Sequence, residues 1–200
     1  MTGSIKLSDH PADMRLTGQQ TTQVSSAEIR AAFGHWLAIQ IEAGVRLVIL
    51  EGLPLSGKSW LIQEPFKLNG HSTENIELDR FLKKPVPQTT RYIDAIDRAA
   101  LEAVIDAAFV ASTVIVEGPI AWPFAQAAVT KIGPEYVRRV YLKRMMKEKP
   151  NIWVDEGFEQ RRHPSEYIQS VNRYHAEQKP WLYANLILER VEEGADAHRD

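Results

Sequence analysis

Residues 52–59, Gly-Leu-Pro-Leu-Ser-Gly-Lys-Ser, hold two glycines, a lysine and a hydroxyl at the spacing G-x-x-x-x-G-K-[ST]. The chemistry of that pattern is anion binding. Glycines let the backbone bend until successive N–H groups face one point. A helix starting near Lys58 would add the positive end of its dipole. Lys58 is then expected to reach the β- and γ-phosphates of a nucleotide, with the Ser59 hydroxyl on Mg²⁺. Gly52, Leu55, Ser56, Gly57, Lys58, Ser59 and Trp60 are the positions expected to line the cradle. The alternative is a plain strand-to-helix turn, but the apolar run 45–51 before it is the context that phosphate binding requires. Pro65 and Gly70 follow closely, so the helix after the turn is expected to be short.

Two acidic residues share the spacing logic. Asp79 closes "NIELD" and Glu117 closes "STVIVEG". If both runs are parallel strands, their carboxyl ends share one crevice with the 52–59 turn. A carboxylate there can orient a nucleophile. One that ends a wholly apolar strand needs a partner, and Mg²⁺ favours carboxylate oxygen. Asp79 could instead cap a helix over "RFLKK", and Asp94 could be a helix-start residue. The proline-stiffened stretch 84–97, "KPVPQTTRYIDAID", is placed to border an acceptor. In it Arg91 could grip an anionic group and Tyr92 stack on a ring, or both could be surface.

A basic stretch over 138–162 carries Arg138, Arg139, Lys143, Arg144, Lys147, Lys149, Arg161 and Arg162. Transferring phosphate needs compensating cations, often supplied by a closing lid. Arg144, Arg161 and Arg162 are the residues expected to serve; a solvated charged surface is the alternative. Interspersed Glu148, Asp155, Glu156 and Glu159 argue against a nucleic-acid patch. The six histidines show no metal-ligand spacing, and His163 and His175 receive no role.

Elements must position these groups. Ser25 and Glu28 have capping-box spacing, Val24 and Ile29 that of a hydrophobic staple. Ile29, Phe33, Trp36, Leu37 and Ile41 follow at helical spacing, with Gly44 as a stop. The pattern predicts a helix over 26–43, whose aromatic face could serve a core or a homodimer. Strands are expected at 45–51, 75–79, 112–118, within 135–145 and at 184–190, and further helices over 94–110 and 165–179. Strands alternating with helices predict an α/β fold: a parallel sheet of about five strands covered on both faces, with a lid segment. Residues 1–24 read as a loose N-terminal arm, 25–192 as one domain and 193–200 as an acidic tail.

Composition narrows the class. The chain has 200 residues, 44% hydrophobic and 25% charged, enough for a sizeable core. It has no cysteine, which excludes disulfides and thiolate metal sites. A formal charge of −2 gives no pull toward nucleic acid or anionic membrane. No apolar run approaches a membrane span, and the N-terminus lacks a signal-peptide core. A cytoplasmic protein acting on a small molecule is the expectation.

In sequence order, "GLPLSGKS", "LDRFLKK", "YIDAID" and "VIVEGPIAW" resemble the motifs of the uridine kinase and phosphoribulokinase group of P-loop kinases. The later "SVNRYHAEQKPWLYANLIL" is similar to that group's run before the final strand. The resemblance implies a three-layer P-loop NTPase fold and ATP with Mg²⁺ as cofactors. It implies that Asp79 accepts the proton of the acceptor hydroxyl, that Glu117 supports the metal through water, and that Asp94 lies near the acceptor. The chain departs from the group at Arg91-Tyr92 and at Ala184-Asn185, and it lacks the hairpin that shapes a uridine pocket. Three functions follow as expectations: kinase of a small hydroxyl-bearing metabolite, zeta-toxin-like or antibiotic-modifying phosphotransferase, and nucleotide-binding regulatory ATPase without a small acceptor.

Overall fold

The computed structural model describes residues 19–68, 70–110, 112–146 and 165–192. Among the described residues, seven strands form one sheet: β1 (Gln20–Ser25), β2 (Leu47–Glu51), β3 (Lys67–Leu68), β4 (His71–Glu77), β5 (Thr113–Gly118), β6 (Val137–Met146) and β7 (Leu186–Glu192). Their spatial order is β1-β7-β6-β2-β5-β4-β3. Every neighbouring pair is parallel except β3 with β4. The described residues include the α-helices α1 (Ile29–Glu42), α2 (Lys58–Leu61), α3 (Tyr92–Ala95), α4 (Arg98–Ala108), α5 (Trp122–Ile132) and α6 (Glu166–Gln178). The molecule is therefore an α/β protein with a mostly parallel sheet.

The period of two along each strand decides which helix each residue meets. Leu47 and Ile49 of β2 join Val114 and Val116 of β5 in a core with residues of α3, α4, α5 and α6. Val48 and Leu50 join Ile115, Val140, Leu142, Leu186 and Leu188 in a second core against α1 and α2. Both faces of β2 and β5 are buried along their whole length. That explains their unbroken apolar runs, since a central parallel strand has no wet side. Each buried Leu, Ile or Val contributes roughly 1.5–3 kcal/mol.

Local differences from the sequence reading have identifiable causes. Residues 20–25 are not part of a loose arm; they form β1, an edge strand parallel to β7. Its residues are largely polar because an edge strand keeps much of its surface in water. With β3 it raises the strand count from five to seven. The capping box does not form: Ser25 closes β1 and its hydroxyl bonds the Glu28 carboxylate at 2.7 Å, while Glu28, at the N-cap, makes no side-chain cap. Gly44 does follow α1 in a left-handed conformation, φ +89°. The 94–110 helix divides into α3 and α4, and α4 is capped by Asp97, which accepts from the Ala100 amide at 3.2 Å. The Phe33 and Trp36 face of α1 is packed into the second core, so it is not a face left open for a dimer. Among the described residues no helix is long and apolar enough to cross a membrane.

Candidate functional site

Parallel pairing brings the carboxyl ends of β2, β4, β5, β6 and β7 to one edge of the sheet. The register sets Glu77 opposite Glu117, Glu51 opposite Gly118 and Arg144 opposite Arg190. The 52–59 turn leaves β2 at the middle of that edge.

Inside the turn, Gly57 has φ +101° and Leu55 φ +65°. The Ser56 amide donates to the Leu53 carbonyl at 3.2 Å, and Ser56 is buried. Close approach to backbone explains Gly52, whereas at Gly57 the positive φ is the constraint and the neighbour is the flexible end of a side chain. A Cβ on Gly52 would stand 2.5 Å from the Leu142 carbonyl oxygen, and one on Gly57 would collide with the Arg190 guanidinium. The Lys58 ammonium folds back into the turn, donating to the Leu53 carbonyl at 3.0 Å, and the residue is only 6% exposed. α2 is a single turn of four residues, short as Pro65 and Gly70 lead one to expect, so its dipole is small. Leu55 is 82% and Trp60 45% exposed at the rim.

Ser59 donates its hydroxyl to Glu117 Oε1 at 2.9 Å. Glu117 is 4% exposed. Burial pushes its carboxyl above the ordinary value, Lys58 and the Ser59 bond pull it down, and Asp79 and Glu77 push it up again. Lys58, Asp79 and Glu77 therefore all act electrostatically on Glu117. Among the described residues, no group of three or more His, Cys, Asp or Glu side chains could hold a metal ion by itself.

Asp79 is not a helix cap. It lies inside the 3₁₀ turn Leu78–Phe81, whose N-cap Glu77 makes no side-chain cap. Its Oδ1 accepts from the Tyr92 hydroxyl at 2.9 Å and from the Tyr167 hydroxyl at 3.5 Å. Burial and the charge of Asp79 push both phenols well above their ordinary value, so they stay protonated donors.

The acceptor-side expectations fare unevenly. Arg91 and Asp94 form an exposed ion pair at 2.7 Å instead of facing a ligand separately. Tyr92 cannot stack on a ring: it is fully buried between Phe124 and Tyr167, with ring centroids 6.5 and 5.1 Å away. Its amide donates to Ser170 Oγ at 2.9 Å. Its chain neighbours Arg91 and Ile93 border a cleft with room for about 130 Å³, lined also by Ile120, Ser170, Arg173 and Tyr174 among others.

Of the basic residues, Arg161 and Arg162 lie outside the described residues. Arg144 belongs to β6 itself and points Nη1 toward the Leu55 carbonyl at 3.4 Å. Arg138 binds Gln40 of α1 at 2.9 Å. Arg139, one residue on, faces the opposite side of the sheet and is buried against Glu51, 3.0 Å away.

Sequence reasoning missed two features. One is Arg190, which reaches Gly57 from β7 and which no local signal marks. The other is a buried polar cluster under the turn. Glu51 Oε1 accepts from the amides of Ala121 and Trp122 at 3.1 and 3.0 Å and from the Tyr174 hydroxyl at 2.9 Å, while Oε2 takes Arg139. These donors hold its carboxyl below the ordinary value against the opposing effect of burial, which is the largest single influence. The Arg139 guanidinium also sits 4.4 Å over the Trp122 ring. His175, assigned no role from sequence, is fully buried, with Nδ1 2.8 Å from the Tyr141 hydroxyl and Nε2 2.8 Å from the Pro119 carbonyl. A carbonyl only accepts, so Nε2 carries the proton and Nδ1 accepts from Tyr141. The sign that could have flagged Glu51 was a carboxylate at the end of an apolar strand, the same sign that flagged Glu117.

No protein-family model matches the chain, and no curated protein matches it.

Proposed function

We propose that the chain is an ATP- and Mg²⁺-dependent phosphotransferase of the P-loop kinase kind, acting on a hydroxyl of a small molecule. The observation that supports this reading most is the convergence of three separate chain segments on one edge. Lys58, the Ser59–Glu117 pair and Asp79 come from β2–α2, β5 and the turn after β4, and each has the type the transfer requires.

The roles follow from chemistry. The backbone N–H groups of 52–59 and the Lys58 ammonium would bind the β- and γ-phosphates, with Lys58 leaving the Leu53 carbonyl for a phosphate oxygen. Arg144 and Arg190 approach the turn from the other side and would add positive charge where it builds up on the transferring group. Ser59 and Glu117 suit Mg²⁺: two hard oxygens 2.9 Å apart, with other positions left to water and phosphate, match its habit of taking few protein ligands. When bound, the ion would neutralise phosphate charge. Asp79 would orient the acceptor hydroxyl and take its proton as the acceptor oxygen bonds to phosphorus and ADP leaves.

The test is turnover of Mg-ATP against a panel of hydroxyl-bearing metabolites. Lys58→Ala should abolish turnover with the fold intact by circular dichroism. Asp79→Asn should retain nucleotide binding yet lose about 10²-fold or more in transfer. Wild-type turnover in Lys58→Ala would refute nucleotide binding at this turn. ATP hydrolysis indifferent to every acceptor would favour a regulatory ATPase instead.

A further inference from the structure

We propose that Tyr92 and Tyr167 are positioning residues that pin Asp79 by Oδ1 and so reserve Oδ2 for the acceptor's proton. This rests on the reading of Asp79 as the proton acceptor and specifies how it is held.

Both hydroxyls donate to the same carboxylate oxygen, Tyr92 at 2.9 Å and Tyr167 at 3.5 Å. A carboxylate oxygen offers about two lone-pair directions, so two donors occupy Oδ1. Oδ2 is then the oxygen that presents free basic electrons. The two phenols are fixed to different degrees. Tyr92 is wholly buried, edge-on to Phe124 and tilted against Tyr167, and its own amide is tied to Ser170 of α6. Its hydroxyl therefore leaves a rigid wall, and its direction fixes the carboxylate plane. Tyr167 is half-buried in the first turn of α6 and makes the longer bond. Without these donors, a side chain on a short 3₁₀ turn could rotate about χ2, because that torsion is broad for Asp. A base that misses the acceptor by an ångström loses much of its effect.

The step balances simply. The acceptor O–H bond breaks and its proton bonds to Asp79 Oδ2. The acceptor oxygen bonds to the γ-phosphorus, whose bond to the bridging oxygen breaks, and ADP leaves with that electron pair. The phenols keep their protons throughout and are not catalytic groups.

Water can serve as the acceptor, so basal Mg-ATP hydrolysis by the full chain is the probe. Tyr92→Phe should lower kcat about tenfold and Tyr167→Phe about threefold, the scale of one aligned bond to an anion. The KM for ATP should stay unchanged in both. In an Asp79→Asn background neither substitution should lower kcat further, because a residue that acts only through Asp79 has nothing left to position. NMR of isotope-labelled tyrosine should show two tyrosine signals moving in Asp79→Asn. Losses that persist in the Asp79→Asn background, or tyrosine signals that do not move, would overturn the proposal while leaving Asp79 as the base. Asp79→Asn hydrolysing ATP at the wild-type rate would overturn both readings. Should Tyr92→Phe fail to fold, the half-buried Tyr167→Phe carries the same cycle.

Discussion

At the scale of single residues, the site depends on side chains and one absent side chain held at close range. Gly57 joins the two constraints. Its φ of +101° is costly for any residue with a Cβ, and a Cβ there would drive Arg190 away. Gly57→Ala should therefore lower stability by about 1–3 kcal/mol and, on the function proposed above, weaken nucleotide binding as well. Thermal unfolding and nucleotide titration of the same variant measure both, and an unchanged melting temperature would show that the turn adapts. Ser59 and Glu117 make the complementary point. A hydroxyl and a carboxylate 58 positions apart meet at 2.9 Å because β5 pairs directly with β2.

Between elements, the buried Glu51 acts as a joint. Its carboxylate bonds the amino end of α5, Tyr174 of α6 and Arg139 of β6, so a residue of β2 ties three neighbours just below the 52–59 turn. Such pairs resist removal of one partner, because the other is left charged and unpaired in the core. Arg139→Met should cost about 3–5 kcal/mol. Adding Glu51→Gln should recover part of that loss, since the orphaned charge is then gone. Urea midpoints of the two variants decide it; a double variant no more stable than Arg139→Met would place the value of Arg139 in its packing on Trp122. The sequence reading grouped Arg138 and Arg139 into one basic stretch. The alternation of β6 sends them to opposite faces, one toward α1 and one into the polar cluster.

For the whole molecule, the polar core makes stability depend on pH. Burial presses His175 down to about 4 from 6.5, with Lys58 acting the same way and Glu51 opposing. The folded value is the lower one, so between those pH values the unfolded chain binds a proton that the folded chain refuses. The stability it contributes is present above pH 6.5 and lost as pH falls toward 4, about 3 kcal/mol in all. Glu51 adds a loss at lower pH, below the ordinary carboxyl value of 4.5, because its folded value is depressed. Glu117 has the opposite sign: its folded value is raised, so acid relieves it. Wild-type unfolding free energy should fall steeply between pH 7 and pH 4. His175→Gln, though less stable at neutral pH, should show a shallower fall; parallel curves for the two would exclude His175 as the cause.

Local pattern alone determined most of the elements and the chemistry-bearing residue types. The unbroken runs of β2 and β5, the apolar stripe of α1 and the 52–59 spacing are all written in consecutive residues, and the fold class follows from their alternation. The strand ends named Asp79 and Glu117 as companions of the turn; the sheet brings Glu117 to Ser59, while Asp79 lies just past the end of β4, in the 3₁₀ turn Leu78–Phe81. The tertiary structure alone decided the rest. β1 is a strand only because β7 offers it an edge. Tyr92, expected as a ligand contact, is instead buried with its hydroxyl on Asp79, and Arg91 and Asp94 paired with each other, because side-chain direction depends on packing and not on sequence neighbourhood. Arg190, Glu51 and His175 could not be recognised locally, since each takes its partner from a distant segment. Residue types and their spacing state which chemistry is available; which atoms face one another is settled only when the sheet sets its register.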